Sequence, residues 1–172
     1  MSTEPTTQES PMEEKPGEEH EWLKKLVGEW TFESKEMSGE GQDVFRGSES
    51  VRSLGDLWVV SEGRGNSPGT ESHRTLMTLG FNARRGRFAG NFVASMMTHQ
   101  WVYDGAMSDD GKSLVLDCEG PRMSEDSATA PLAKYKDIIE FVTDDHRILR
   151  SEILNDDGQW QQFMRSDYYR VK

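Results

Sequence analysis

Cysteine is almost missing from this chain, and so is any long apolar run. The single cysteine among 172 residues is Cys118, which excludes an internal disulfide and any Cys-x-x-Cys metal or redox pair. It stands among apolar strand residues, where a lone thiol behaves as a small hydrophobe. No stretch approaches the about 18 apolar residues of a membrane-spanning helix. The N-terminus MSTEPTTQESPMEEKPGEEHE has no basic start, no apolar stretch and no small-residue cleavage site, so it does not read as a signal peptide. Asn66-Ser67 precedes Pro68, which blocks the one near-sequon. A cytoplasmic protein is expected.

Positive charge is scarce as well. Lys and Arg number 20 against 31 Asp and Glu, a net charge of −11. Residues 1–21 hold seven glutamates against Lys15, so −6 lies there and −5 in the remainder. Such a surface repels phosphate backbones and anionic lipid heads, so neither nucleic acid nor membrane is expected as a partner. The basic stretch Arg84-Arg85-Gly86-Arg87 reads as a solvated hairpin turn. Enzyme signatures are missing too: no Gly-x-Ser-x-Gly elbow, no His-Glu-x-x-His helix and no Gly-x-x-x-x-Gly-Lys-Ser/Thr loop. His20, His73, His99 and His146 are widely spaced, and Asp144-Asp145-His146 reads as a solvated acidic turn. No catalytic residue, metal site or cofactor is predicted.

What is present points to one domain. Residues 1–17 combine proline, Ser/Thr and glutamate, too polar for burial to offset the entropy of ordering them, and read as a disordered acidic tail. Residues 18–172 read as a single β-barrel domain opened by a helix over 18–28, with acids in its first turn, lysines later and Gly28 as its stop. Trp22, Leu23 and Leu26 form its apolar stripe. From Trp30 the hydrophobic period becomes two, and turn signals recur about every ten residues. Strands are expected near 30–36, 42–53, 57–64, 72–82, 86–96, 98–107, 112–120, 133–143, 146–154 and 159–170. Ser108-Asp109-Asp110-Gly111, Asn155-Asp156-Asp157-Gly158 and Asn82–Gly86 place glycine where a hairpin turn needs positive φ. Short connections force antiparallel pairing, and about ten strands in one meander hide their edges by closing. The fold class is therefore all-β, a single antiparallel meander barrel with a short N-terminal helix. The polar segments 63–69 and 121–131 read as insertions or as flaps over the mouth.

The stretch Trp22–Trp30, a helix running into Gly28-Glu29-Trp30, resembles the opening of calycin-type barrels, whose relatives include lipocalins, fatty-acid-binding proteins and nitrobindin-like haem barrels. Thr78–Asn82 with Gly86-Arg87-Phe88, Ser95–Tyr103, Glu119-Gly120-Pro121, Tyr135–Phe141 and His146–Leu149 extend the likeness across residues 19–170. Together they resemble a bacterial family known as a domain of unknown function. That resemblance implies a small calycin-like β-barrel and supplies no activity. The histidine pattern of the haem-binding barrels is missing.

Taken as one strand, residues 91–103 place Val93, Ser95, Met97, His99, Trp101 and Tyr103 on one face. An imidazole among large polarizable and aromatic groups is how ligand pockets are lined. Tyr135-Asp137-Ile139 and Arg150-Glu152 put polar residues on faces that a dry barrel would keep apolar, which suits a partly polar cavity. The expected ligand-binding residues are Trp58, Met97, His99, Trp101, Tyr103 and Tyr135. Three functions are consistent with these features. The first is a non-catalytic binding barrel for a small, largely apolar ligand. The second is an isomerase- or cyclase-type enzyme using His99 or a buried carboxylate (Glu62, Asp137 or Glu152) as general base. The third is an interaction module that forms a homodimer.

Overall fold

The computed structural model describes residues 12–36, 44–66, 72–123 and 125–172. One helix, α1 (Glu18–Lys24), precedes ten strands. These are β1 (Gly28–Glu36), β2 (Val44–Leu54), β3 (Trp58–Asn66), β4 (His73–Asn82), β5 (Arg87–Ala94), β6 (Trp101–Met107), β7 (Ser113–Pro121), β8 (Leu132–Thr143), β9 (His146–Leu154) and β10 (Trp160–Arg170). Each strand pairs antiparallel with its sequence neighbours, and β1 pairs with β10 from Trp30↔Arg170 to Glu36↔Met164, closing the barrel. Closure leaves no open sheet edge. The expected all-β meander barrel of ten strands with a short N-terminal helix is the fold observed.

Gly86, Gly111 and Gly158 have φ of 64°, 70° and 81°, the left-handed conformation that these hairpins demand of their turn residue. Three expectations need correction. The helix stops at Lys24 rather than at residue 28, and Gly28 opens β1. Residues 63–66 continue β3 rather than starting a loop. Residues 91–103 are not one strand: β5 ends at Ala94 and β6 begins at Trp101, with turns and bends between. Residues 1–11 of the expected tail lie outside the described residues, and residues 12–17 are exposed and without regular structure.

The meander sorts its connections by end. The tight turns after β2, β4, β6 and β8 lie at the end where α1 sits, and the connections 95–100, Arg122–Pro131 and 155–159 lie at the other. The α1 end is filled. Leu23, Leu26 and Trp30 are buried against Val51, Val59, Leu79, Phe88 and Leu114. The Trp30 indole Nε1 donates to the Leu26 carbonyl at 2.8 Å, stitching the first strand to the chain just after α1. Trp22, expected in the same stripe, is half-buried and meets Phe141 and Phe88 edge-on at 5.5 and 6.5 Å. Leu23, Leu26 and Trp30 are the fully buried part of this plug, and the half-buried Trp22 packs against it.

Candidate functional site

Register decides which side chains face inward at the other end. Phe92 pairs with Trp101 and Gly90 with Tyr103 across β5 and β6. Cys118 pairs with Tyr135, Asp137 with Ser151, and Ser151 with Met164 across the strands that follow. Directly opposed residues share a face. Together with Met96, Met97, His99 and Met123 from the connecting segments, they wall a cavity of about 350 Å³. A second chamber of about 410 Å³ shares Met77, Phe92, Met96, Leu149 and Met164 with the first and runs toward Glu49, Arg147 and Tyr168. These are two parts of one barrel interior, of the size that small-molecule sites have.

Of the six expected ligand-binding residues, Met97, His99, Trp101, Tyr103 and Tyr135 come together in the wall of the first chamber. Trp58 does not. Val59 and Ser61 face inward, so Trp58 stands on the outer face, 41% exposed, with its ring across Gly80, where a Cβ would come within 2.5 Å of it. Glu62 is exposed further along the same strand face, and Glu152 lies between the inward Ser151 and Ile153 and so faces out. Phe92, Met77, Phe163 and Met164 line the cavity without having been expected there. The 95–100 connection reverses the parity of the two strands it joins, so Phe92 faces inward and Val93 is exposed.

An edge-to-face aromatic ladder forms one wall. His99 meets Trp101 at 4.9 Å, Trp101 meets Tyr135 at 4.9 Å and Tyr135 meets Phe163 at 5.9 Å, arrangements that aromatic quadrupoles favour. Trp101 donates its Nε1 hydrogen to the Met97 sulfur at 3.1 Å. Its ring lies over Gly120, where a Cβ would be 2.2 Å from it, so any larger residue there would displace the indole. The Tyr135 hydroxyl donates to the Pro121 carbonyl at 2.7 Å and accepts from the Met123 amide at 3.2 Å. Beyond it, Arg122 grips Asp156 through two bonds of 2.8 and 3.1 Å, tying together two connections at the mouth. The His99 Nε2–H donates to the Glu119 carbonyl at 2.8 Å, so the ring is held by backbone and not by a carboxylate. His20 is buried within α1, where its Nδ1 accepts from the Gly17 amide, and His146 bonds Asp167, both outside the cavity.

Two polar clusters interrupt the apolar lining. Deeper in the barrel, Arg147 and Glu49 form an ion pair, with Ser61 donating to Glu49 and the guanidinium lying over the Trp30 and Tyr168 rings at 4.7 and 4.0 Å. In the first chamber, Tyr103 and Ser151 donate to the two oxygens of Asp137, each at 2.6 Å. Burial pushes the Asp137 carboxyl above the usual carboxylate range, with the two hydroxyl bonds opposing the shift. Burial, then the Asp137 charge, raises the Tyr103 hydroxyl, and burial raises the Cys118 thiol, making it a poor nucleophile. A carboxyl raised in the folded state holds a proton that the unfolded chain has lost, so its contribution to stability declines as pH rises from about 3.9 through the folded value. Asp137→Asn removes that decline. The stability of wild type minus that of the variant is expected to fall across this window in urea titrations; a flat difference would place the carboxyl at its ordinary value.

No group of His, Cys, Asp and Glu among the described residues is arranged to hold a metal ion. No helix among them is long and apolar enough to cross a membrane.

Residues 15–170, nearly the whole barrel with its helix, match the family described as a protein of unknown function, DUF1579. The chain belongs to this family. No curated protein matches the DUF1579 chain. Among solved structures it is similar to the S-type phycobiliprotein lyase CPES from Guillardia theta, at 17% identity and TM-score 0.60, over 88% of this chain and 92% of that one. It is also similar to Rv2717c from M. tuberculosis, at 12% identity and TM-score 0.63, over 92% of this chain and 100% of that one. At such identities the likeness is one of fold, and it places the DUF1579 barrel among lipocalin-like barrels.

Proposed function

We propose that this protein is a non-catalytic binding barrel that takes a small, largely apolar molecule into the cavity walled by Met97, His99, Trp101, Tyr103 and Tyr135. The observation that carries this reading is the cavity itself: about 350 Å³ of space between an aromatic ladder and a cluster of methionines, interrupted by one polar trio. A dry barrel of this size would fill that space with side chains. Methionines adapt to irregular apolar shapes, and the ladder presents rigid faces to stack against. Among the described residues the α1 end is filled, so a guest would enter from the opposite end, where Arg122 and Asp156 link two of the connections.

An environment-sensitive apolar dye is expected to bind with enhanced emission that saturates at one site. His99→Leu and Trp101→Ala are each expected to shift its Kd about fivefold or more, the equivalent of about 1 kcal/mol. Emission that rises without a plateau, or affinity indifferent to both side chains, would count against the cavity. A second reading, an isomerase or cyclase, rests on the Asp137 carboxyl, raised by burial and open to the first chamber, as the general base. It requires turnover that Asp137→Asn abolishes while dye binding persists.

A further inference from the structure

The polar trio of the first chamber is asymmetric toward a guest. Tyr103 and Ser151 both spend their hydroxyl hydrogens on Asp137, so what they jointly present is acceptor capacity. An ionised carboxylate has about four lone-pair sites, and two of those on Asp137 are taken. Asp137 lies deep in the protein yet keeps accessible surface, and that surface faces the cavity. Among the described residues no ion pair includes Asp137. Arg122, the one arginine of this chamber, is committed to Asp156, and deeper in the barrel Arg147 is committed to Glu49; Arg64, exposed on β3, borders only the second chamber. The remaining charged residues of this chamber, Glu36 and Glu125, are also acidic.

In this chamber a guest with a carboxylate would therefore meet like charge, with its one arginine already paired. A purely apolar guest would cover a carboxylate and leave it without water or counter-charge, a costly outcome. A guest with a protonated nitrogen gains a charge-assisted hydrogen bond to Asp137, and its cationic head also lies beside the faces of the aromatic wall. Building on the binding reading above, we infer that the ligand class is an amphiphilic amine, its apolar body among Met77, Phe92, Trp101 and Met164 and its ammonium group on Asp137.

The test compares three matched probes on the full chain by calorimetry at neutral pH: naphthylethylamine, naphthylethanol and naphthylacetate. The amine is expected to bind about tenfold or more tightly than the alcohol, and the acid more weakly than either. Asp137→Asn is expected to bring amine and alcohol to within about twofold while alcohol binding persists. Because the protein is acidic overall, the comparison is repeated at about 0.5 M salt, where surface attraction is screened and a buried pair is not. A preference for the amine that survives salt supports the inference even if Asp137→Asn fails to fold. Equal binding of amine and alcohol, a preference for the acid, or a preference lost in salt overturns the amine inference and leaves the binding reading standing. If neither these probes nor the apolar dye bind, both fall.

Discussion

Arg147→Met is expected to destabilise the barrel by about 3 to 5 kcal/mol, because it strips the partner from a carboxylate that is only 12% exposed. Arg147 is 4% exposed, and Glu49 faces it from a strand on the far side of β1 and β10. The pair spans the barrel and holds the floor of the larger chamber. The guanidinium also fills the space between the Trp30 and Tyr168 rings, which the methionine stem covers only in part. The double variant Glu49→Gln, Arg147→Met should recover a substantial share of the loss, since neither charge is then left alone. Urea denaturation of the two singles and the double measures the coupling directly. A loss under about 1 kcal/mol for Arg147→Met would mean that water in the chamber solvates Glu49.

Trp30→Ala is expected to cost a comparable 3 to 5 kcal/mol or so, the range of large aromatic truncations in cores. The ring is 1% exposed, bonds the Leu26 carbonyl, and carries guanidinium groups at 4.7 Å (Arg147) and 4.2 Å (Arg170). Arg170 in turn donates to the carbonyls of Val27 and Lys25, so the indole stands where the last strand, the first strand and the end of α1 meet. Trp30→Phe keeps most of the apolar volume and loses the indole donor, for which about 1 kcal/mol is expected beyond repacking. If thermal and chemical denaturation show Trp30→Ala no worse than a surface substitution, the plug model of this end is wrong.

The sequence carried the fold through its turns. Gly86, Gly111 and Gly158 announced three hairpins, and short connections dictated antiparallel pairing and closure. It carried much of the cavity as well, because Trp101 and Tyr103 alternate along a real strand. Where it misled, local pattern and tertiary placement diverge. Ser95 to Gln100 contains no glycine or proline, so nothing in it signals that the chain turns there and changes parity. Trp58 has the hydrophobicity of an inward residue, but on β3 the inward positions near the cavity are the small residues Ser61 and Gly63, which leave room. The Glu49 and Arg147 pair could not be read from spacing, because its members are 98 residues apart and meet only once the sheet closes.

The sorting of connections by end has a consequence for variation. Substitutions and insertions at the mouth, between β5 and β6 or between β7 and β8, fall far from the Leu23, Leu26 and Trp30 plug. Doubling the length of a flexible connection adds only about 0.6 kcal/mol of closure entropy. A lineage, or a laboratory library, could therefore rewrite the rim repeatedly and exchange one guest for another while inheriting the same foundation. Relatives that keep the α1 pole and diverge at the rim would then be receptors of different molecules cast from a single vessel.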